Sequence, residues 1–162
     1  MFCRFCGEEI QKNWNYCPSC GGDISMSKDW DKEISNLIES DFKDRNIFYN
    51  KVLNILQRNG GFIIFTNPET DKFIQFASDE FDDINYLLCN IPPKEFNPNQ
   101  PSISKILEKI YYFNENNISG DFLDLKCNLD EAVEIINLFF LDVCDLNKDY
   151  QVKLKYNIRN KS

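Results

Sequence analysis

Phe62-Ile63-Ile64-Phe65-Thr66, Asn67-Pro68-Glu69-Thr70-Asp71 and Lys72-Phe73-Ile74-Gln75-Phe76-Ala77 follow one another without a gap. The outer runs are built from β-branched and aromatic residues, and the middle run has turn chemistry at nearly every position. Together they predict a β-hairpin. A third strand, Ile84 to Asn90, follows the acidic Asp79-Glu80-Phe81-Asp82-Asp83. Links this short favour antiparallel pairing.

Upstream, Trp30, Ile34, Leu37, Ile38, Phe42, Phe48, Val52, Ile55 and Leu56 recur mostly at three or four residues, the rhythm of a helix ending at Asn59-Gly60-Gly61. The rhythm slips near Asp44-Arg45-Asn46, which predicts a kink or a break into two helices. Downstream, Ile91 to Pro101 holds four of the chain's six prolines and reads as an extended surface loop. Ser102 then caps a helix with Ile103, Ile106, Leu107, Ile110 and Phe113 on one face. Phe122 to Cys127 reads as a strand. Asn128 with Glu131 forms a capping box for a further helix, buried through Leu129, Ala132, Val133, Ile136, Phe140 and Val143. Tyr150 to Arg159 alternates apolar with polar residues, a strand with one wet face. The expected class is α+β, an antiparallel sheet with helices packed on one face in the order α-β-β-β-α-β-α-β.

The first 25 residues obey different chemistry. Cys3-Arg4-Phe5-Cys6-Gly7 is followed, after the span from Glu8 to Tyr16, by Cys17-Pro18-Ser19-Cys20-Gly21-Gly22. Two residues between thiolates make a tight knuckle that brings both sulfurs onto one metal at about 2.3 Å. The glycine after each pair supplies the sharp turn. A redox dithiol comes as one CxxC at a strand-to-helix junction, and a disulfide framework suits secreted proteins, so the spacing points to zinc. Cys3, Cys6, Cys17 and Cys20 complete a tetrahedral shell around one structural Zn2+, leaving no position for an activated water. The segment resembles the short zinc ribbon found at bacterial N-termini. Phe2, Phe5, Trp14 and Tyr16 surround the knuckles, either packing over the metal or contacting a partner. The expected organisation is a ribbon at 1–25, a linker at 26–29, an α+β domain at 30–158 and a tail at 159–162.

Composition narrows the function. The chain of 162 residues has 18 Lys plus Arg against 26 Asp plus Glu, a formal net charge of -8, which argues against nucleic acid as the ligand. It has no histidine, so Ser-His and Cys-His nucleophilic pairs are excluded, and with them the usual catalytic zinc ligand sets. Cys89, Cys127 and Cys144 sit in apolar contexts, as structural thiols do. Asp79, Glu80, Asp82 and Asp83 form the one dense acidic cluster, which reads as a solvated loop before it reads as a metal site of a carboxylate-dependent enzyme. Asp145-Leu146-Asn147-Lys148-Asp149 mimics the start of a calcium loop, but Tyr150 occupies the glycine position and Tyr156 that of the bidentate glutamate. The basic residues Lys153, Lys155 and Arg159 fit an edge strand guarded against aggregation, with a nucleic-acid adaptor as the alternative. No apolar run is long enough to span a bilayer and no basic-then-apolar leader opens the chain, so a soluble, cytoplasmic protein is expected.

Lys72-Phe73-Ile74-Gln75-Phe76-Ala77, placed after a long helix and a first strand, resembles the "fvQfa" strand of the type III secretion chaperone-like superfamily, including its YbjN-related peptide-binding branch. The downstream helix, strand and helix fit that pattern, over about residues 30 to 158. Tyr112-Phe113-Asn114 stands where the usual Leu-Gly precedes the fourth strand. The resemblance implies non-enzymatic binding of an extended peptide or partner protein, often by a homodimer. The loop at 91–101, with Ile91 and Phe96, is the expected border of a peptide-binding site, with Phe96 as its candidate contact; the alternative is an ordered loop whose apolar side chains cap the core.

Overall fold

The computed structural model describes residues 2–3, 5–11, 14, 16–22, 30–78, 86–94, 97–120 and 122–159. The slip at Asp44 is a full break: α1 runs Trp30–Asp41 and α2 runs Arg45–Asn59. Asp44 accepts from the N–H of Ile47 at 3.2 Å, satisfying an orphan donor at the start of α2. Gly60, at φ 89°, ends α2 with its N–H on Leu56 at 2.8 Å. Strands β1 (Gly61–Thr66) and β2 (Phe73–Ser78) then form the expected hairpin. Asn67 fastens the turn between them. Buried at 1% exposure, it accepts from the N–H and hydroxyl of Thr70 and donates to the carbonyl of Gln151 at 2.9 Å, so no polar group is left unsatisfied.

Strand β3 is Leu87–Ile91, α3 is Ile103–Lys109, β4 is the two-residue Ile118–Ser119 and β5 is Phe122–Cys127. Helix α4 (Leu129–Asn137) opens with the reciprocal Asn128–Glu131 capping box and continues as a π-helical turn, Leu138–Val143. Strand β6, Lys153–Ile158, closes the chain. The six strands form one antiparallel sheet in the order β4-β5-β3-β2-β1-β6.

The register decides which face is covered. Phe65 and Ile74 are partners, as are Ile63 and Phe76, Phe76 and Cys89, and Ile91 and Leu123. All of these are fully buried, on the face packed by Val52, Leu53 and Leu56 of α2 and by Ile135 and Ile136 of α4. The class is α+β with the helices on one side, as expected. Near the end of the sheet a polar contact is enclosed in the aromatic core. Tyr49 and Tyr150 share a hydrogen bond of 2.6 Å, and Arg45 lies between the rings of Phe42 and Tyr150 at 4.0 and 4.4 Å.

Several boundaries differ from expectation. Helix α3 stops at Lys109, and buried Ile110 and Phe113 follow in a turn rather than on its face. Strand β6 begins at Lys153 because Tyr150 is turned into the core and hydrogen-bonds Tyr49. Ile91 belongs to β3 and is fully buried, so it is not a loop residue. The described part of the following loop is fastened down: buried Gln100 accepts from Phe73 N–H at 2.7 Å and donates to the carbonyls of Phe73 and Pro92. Replacing Gln100 with Leu orphans three backbone groups; we expect a loss of about 2 to 4 kcal/mol in urea denaturation, and an unchanged midpoint would refute the anchoring role.

Candidate metal centre and open sheet face

The two knuckles are built alike. In the first, Cys3 N–H donates to Glu8 at 2.7 Å and Gly7 N–H to Cys3 at 2.9 Å; in the second, Cys17 N–H donates to Gly22 at 2.9 Å and Gly21 N–H to Cys17 at 2.8 Å. Gly7 and Gly21 take φ +79° and +73°, the left-handed turn that glycine adopts without strain. Phe2 and Glu9 bridge across the first knuckle. A small apolar cluster of Ile10, Cys3 and Cys17, with half-buried Trp14 against it, lies behind the sulfurs.

This folding brings four sulfurs from two separate turns together. All lie within 4.8 Å of one another, with Cys3 to Cys20 at 3.7 Å and Cys6 to Cys17 at 3.6 Å. A tetrahedron with metal–sulfur bonds of about 2.3 Å has edges of about 3.8 Å, close to these two separations, so the four sulfurs are positioned to bind one zinc ion. Cys3 and Cys17 are buried, and Cys6 and Cys20 are exposed. The thiols of Cys3, Cys6 and Cys20 compete for charge. Burial raises the Cys3 thiol, but the N–H groups of Phe5 and Cys6 and the thiols of Cys17 and Cys20 outweigh it and bring Cys3 down to about 6. For Cys6 the Glu8 N–H favours the thiolate, yet burial and the neighbouring sulfurs prevail and push it up to about 12. A dication removes this conflict by stabilising all four thiolates together.

The aromatic residues divide. Trp14 packs on the cluster, and the Phe5 ring covers Gly22, where an added Cβ would stand 2.8 Å from Phe5 Cε2. Phe2, Phe5 and Tyr16 are nonetheless 71%, 60% and 64% exposed and lie outside that local core.

Cys89, Cys127 and Cys144 are all buried away from this centre. Burial raises the Cys89 thiol, and it pushes Cys127 and Cys144 up to about 12. Alanine at any of the three should cost about 1 to 3 kcal/mol through lost packing. Iodoacetamide should label them slowly in the native protein and fully in denaturant; rapid native labelling would contradict their structural role. Asp145 pairs with Lys105 at 2.7 Å, which holds its carboxyl below the usual range and ties this end of the π-helical turn to α3. Phe96 and the acidic Asp79, Glu80, Asp82 and Asp83 lie outside the described residues.

One feature was not legible in the sequence: the second face of the sheet. Phe62, Ala77 and Leu88 stand side by side across β1, β2 and β3, with Phe62 38% and Leu88 40% exposed. In the next row Gln75 donates to Asn90 at 2.5 Å, and Asn90 donates to Asp124, an amide ladder across three strands. The alternating residues of β1 are Phe and Ile on both faces, so periodicity gave no sign of which face was covered.

Residues 2–24 match the family model of the zinc-ribbon domain, in agreement with the sulfur geometry. The N-terminal segment is a zinc ribbon, and its four cysteines are positioned to bind one zinc ion. No match to the chain was found among curated proteins or solved structures. Among the described residues no helix is long and apolar enough to cross a membrane.

Proposed function

We propose that the chain is a non-enzymatic, cytoplasmic binding protein, chaperone- or adaptor-like, that holds a partner polypeptide on the open face of its sheet. The zinc ribbon is an accessory contact. The observation that carries this reading is the apolar row Phe62–Ala77–Leu88 across three strands, with Phe62 and Leu88 exposed at its two ends, the kind of patch that marks a protein contact. Exposed Phe2 and Tyr16 on the ribbon support a second point of contact.

Placing a photo-crosslinking phenylalanine analogue at Leu88 in the native host tests the reading. A discrete adduct with another polypeptide is expected from position 88 and none from the exposed position Lys148. Full-length, folded protein that gives no adduct at 88 would sink it.

A further inference from the structure

The charges on the open face are not those of the molecule. The chain carries a formal net charge of -8, yet among the described residues this face is cationic along its β6 margin, carries one charge of each sign along β5 and is uncharged at its centre. Strands β1, β2 and β3 place only apolar and neutral polar side chains on it: Phe62 and Ile64, then Phe73 and Gln75, then Leu88 and Asn90. At one margin β6 adds Lys153 and Lys155, both exposed and aligned with Thr66 and Ile64; Arg159 continues the same alternation beyond the strand. At the other margin β5 adds Lys126, its ammonium 5.0 Å from the centre of the Tyr86 ring, and Asp124, whose carboxylate accepts from Asn90.

We infer that this face receives an acidic amphipathic helix of a partner protein, with the apolar stripe of that helix on the uncharged centre and its carboxylates over the lysines of β6. The inference rests on the partner-binding reading above and names the chemistry of the partner. Strands about 4.8 Å apart put β5 and β6 about 19 Å from each other. A helix with its side chains is about 10 to 12 Å across, so it can cover β1 to β3 and leave its flanks above both margins.

Two other docking modes fit less well. Strand addition needs a long unguarded edge, but β4 has two residues and β6 carries exposed lysines, which blunt an edge. A single-stranded nucleic acid would stack its bases on Phe62 and Phe73, but its phosphates need cations along the whole track, and the centre offers none. The excess of acidic groups elsewhere on the chain also opposes a polyanion at long range.

Fluorescence anisotropy on the zinc-loaded full chain tests the inference with three labelled probes. These are a designed helical peptide with Leu at i, i+3, i+4 and i+7 and Glu on its flanks, the same peptide with Lys for Glu, and oligothymidine of similar length. The Glu peptide should bind about tenfold or more tightly than the Lys peptide, and less tightly as salt rises. Lys153→Glu with Lys155→Glu should reverse that order, with the fold checked by circular dichroism. If the double reversal does not fold, Lys153→Gln with Lys155→Gln should still narrow the gap. Leu88→Asp should weaken both peptides. Equal affinity for the two peptides, both sensitive to Leu88→Asp, overturns the acidic partner and leaves the partner-binding reading in place. Oligothymidine bound in preference to both peptides makes the ligand a nucleic acid. Binding of no probe overturns the helix-docking inference, while the crosslink at position 88 judges the partner-binding reading independently.

Discussion

Removing zinc from the purified protein is expected to unfold residues 2–22 and to leave the α+β core standing. The ribbon's apolar cluster consists of Ile10, Cys3 and Cys17 with Trp14 against it, too little to offset the entropy of ordering the segment. Structural zinc at a cysteine tetrad contributes about 10 to 16 kcal/mol of apparent binding free energy, which here is folding free energy. Elemental analysis should give one zinc per chain, and a chelator should open the ribbon to protease. The thermal transition of the core should stay in place, because its cluster runs through α2, α4 and the sheet without ribbon residues. Cys17→Ser, which removes a buried ligand, should have the same effect as the chelator. Acid works in the same direction: zinc binds thiolates, protons compete for them, and retention should fall as pH falls and recover as it rises. A ribbon that stays protease-resistant when stripped would refute the metal's role. Cooperative loss of both parts would show instead that they share a core.

The ribbon was legible because its chemistry is local. Four cysteines at fixed spacing with a glycine after each pair specify the sulfur tetrad whatever the rest of the chain does, and the observed distances agree. The hairpin and the Asn128–Glu131 capping box were legible for the same reason: turn and cap side chains bond to backbone within a few residues. What the sequence hid depends on distant partners. Nothing near Tyr150 announces that its hydroxyl meets Tyr49 across the core, and this contact moves the start of β6 to Lys153. Gln100 looks like an ordinary loop residue until β2 lies beside it and its amide completes the hydrogen bonds of Phe73. Ile91 follows the same logic: the prolines after it suggested loop, and pairing with Leu123 made it strand. The open sheet face is the most consequential of these. Its charged margins, cationic on β6 and mixed on β5, come from strands far apart in sequence that only the order β5-β3-β2-β1-β6 places on either side of an uncharged centre.

That arrangement depends on β6 being held against β1, and at Gly61 the two backbones leave no room for a side chain. Gly61 pairs with Ile158 and takes φ +110°, a region that costs an L-residue about 1 to 3 kcal/mol. An added Cβ would meet the carbonyl oxygen of Asn157 in hard overlap and stand 2.9 Å from its carbonyl carbon and 3.1 Å from Ile158 Cα. These are backbone atoms, so no side-chain rotation relieves the clash and the end of β6 has to move. Buried Ile158 then loses its place in the core. Gly61→Ala should therefore cost about 4 kcal/mol or more in urea denaturation. Gly120 separates the two contributions, since at φ +62° it has nothing within 4 Å of an added Cβ. Gly120→Ala carries the conformational cost alone, about 1 to 2 kcal/mol. Equal losses for the two substitutions would show that β6 is not clamped at this point. If Gly61→Ala is the costlier and still folds below its lowered melting temperature, displaced β6 should carry Lys153 and Lys155 away from the sheet centre. Preference for the Glu peptide over the Lys peptide should then shrink, while apolar contact through Leu88 on β3 persists.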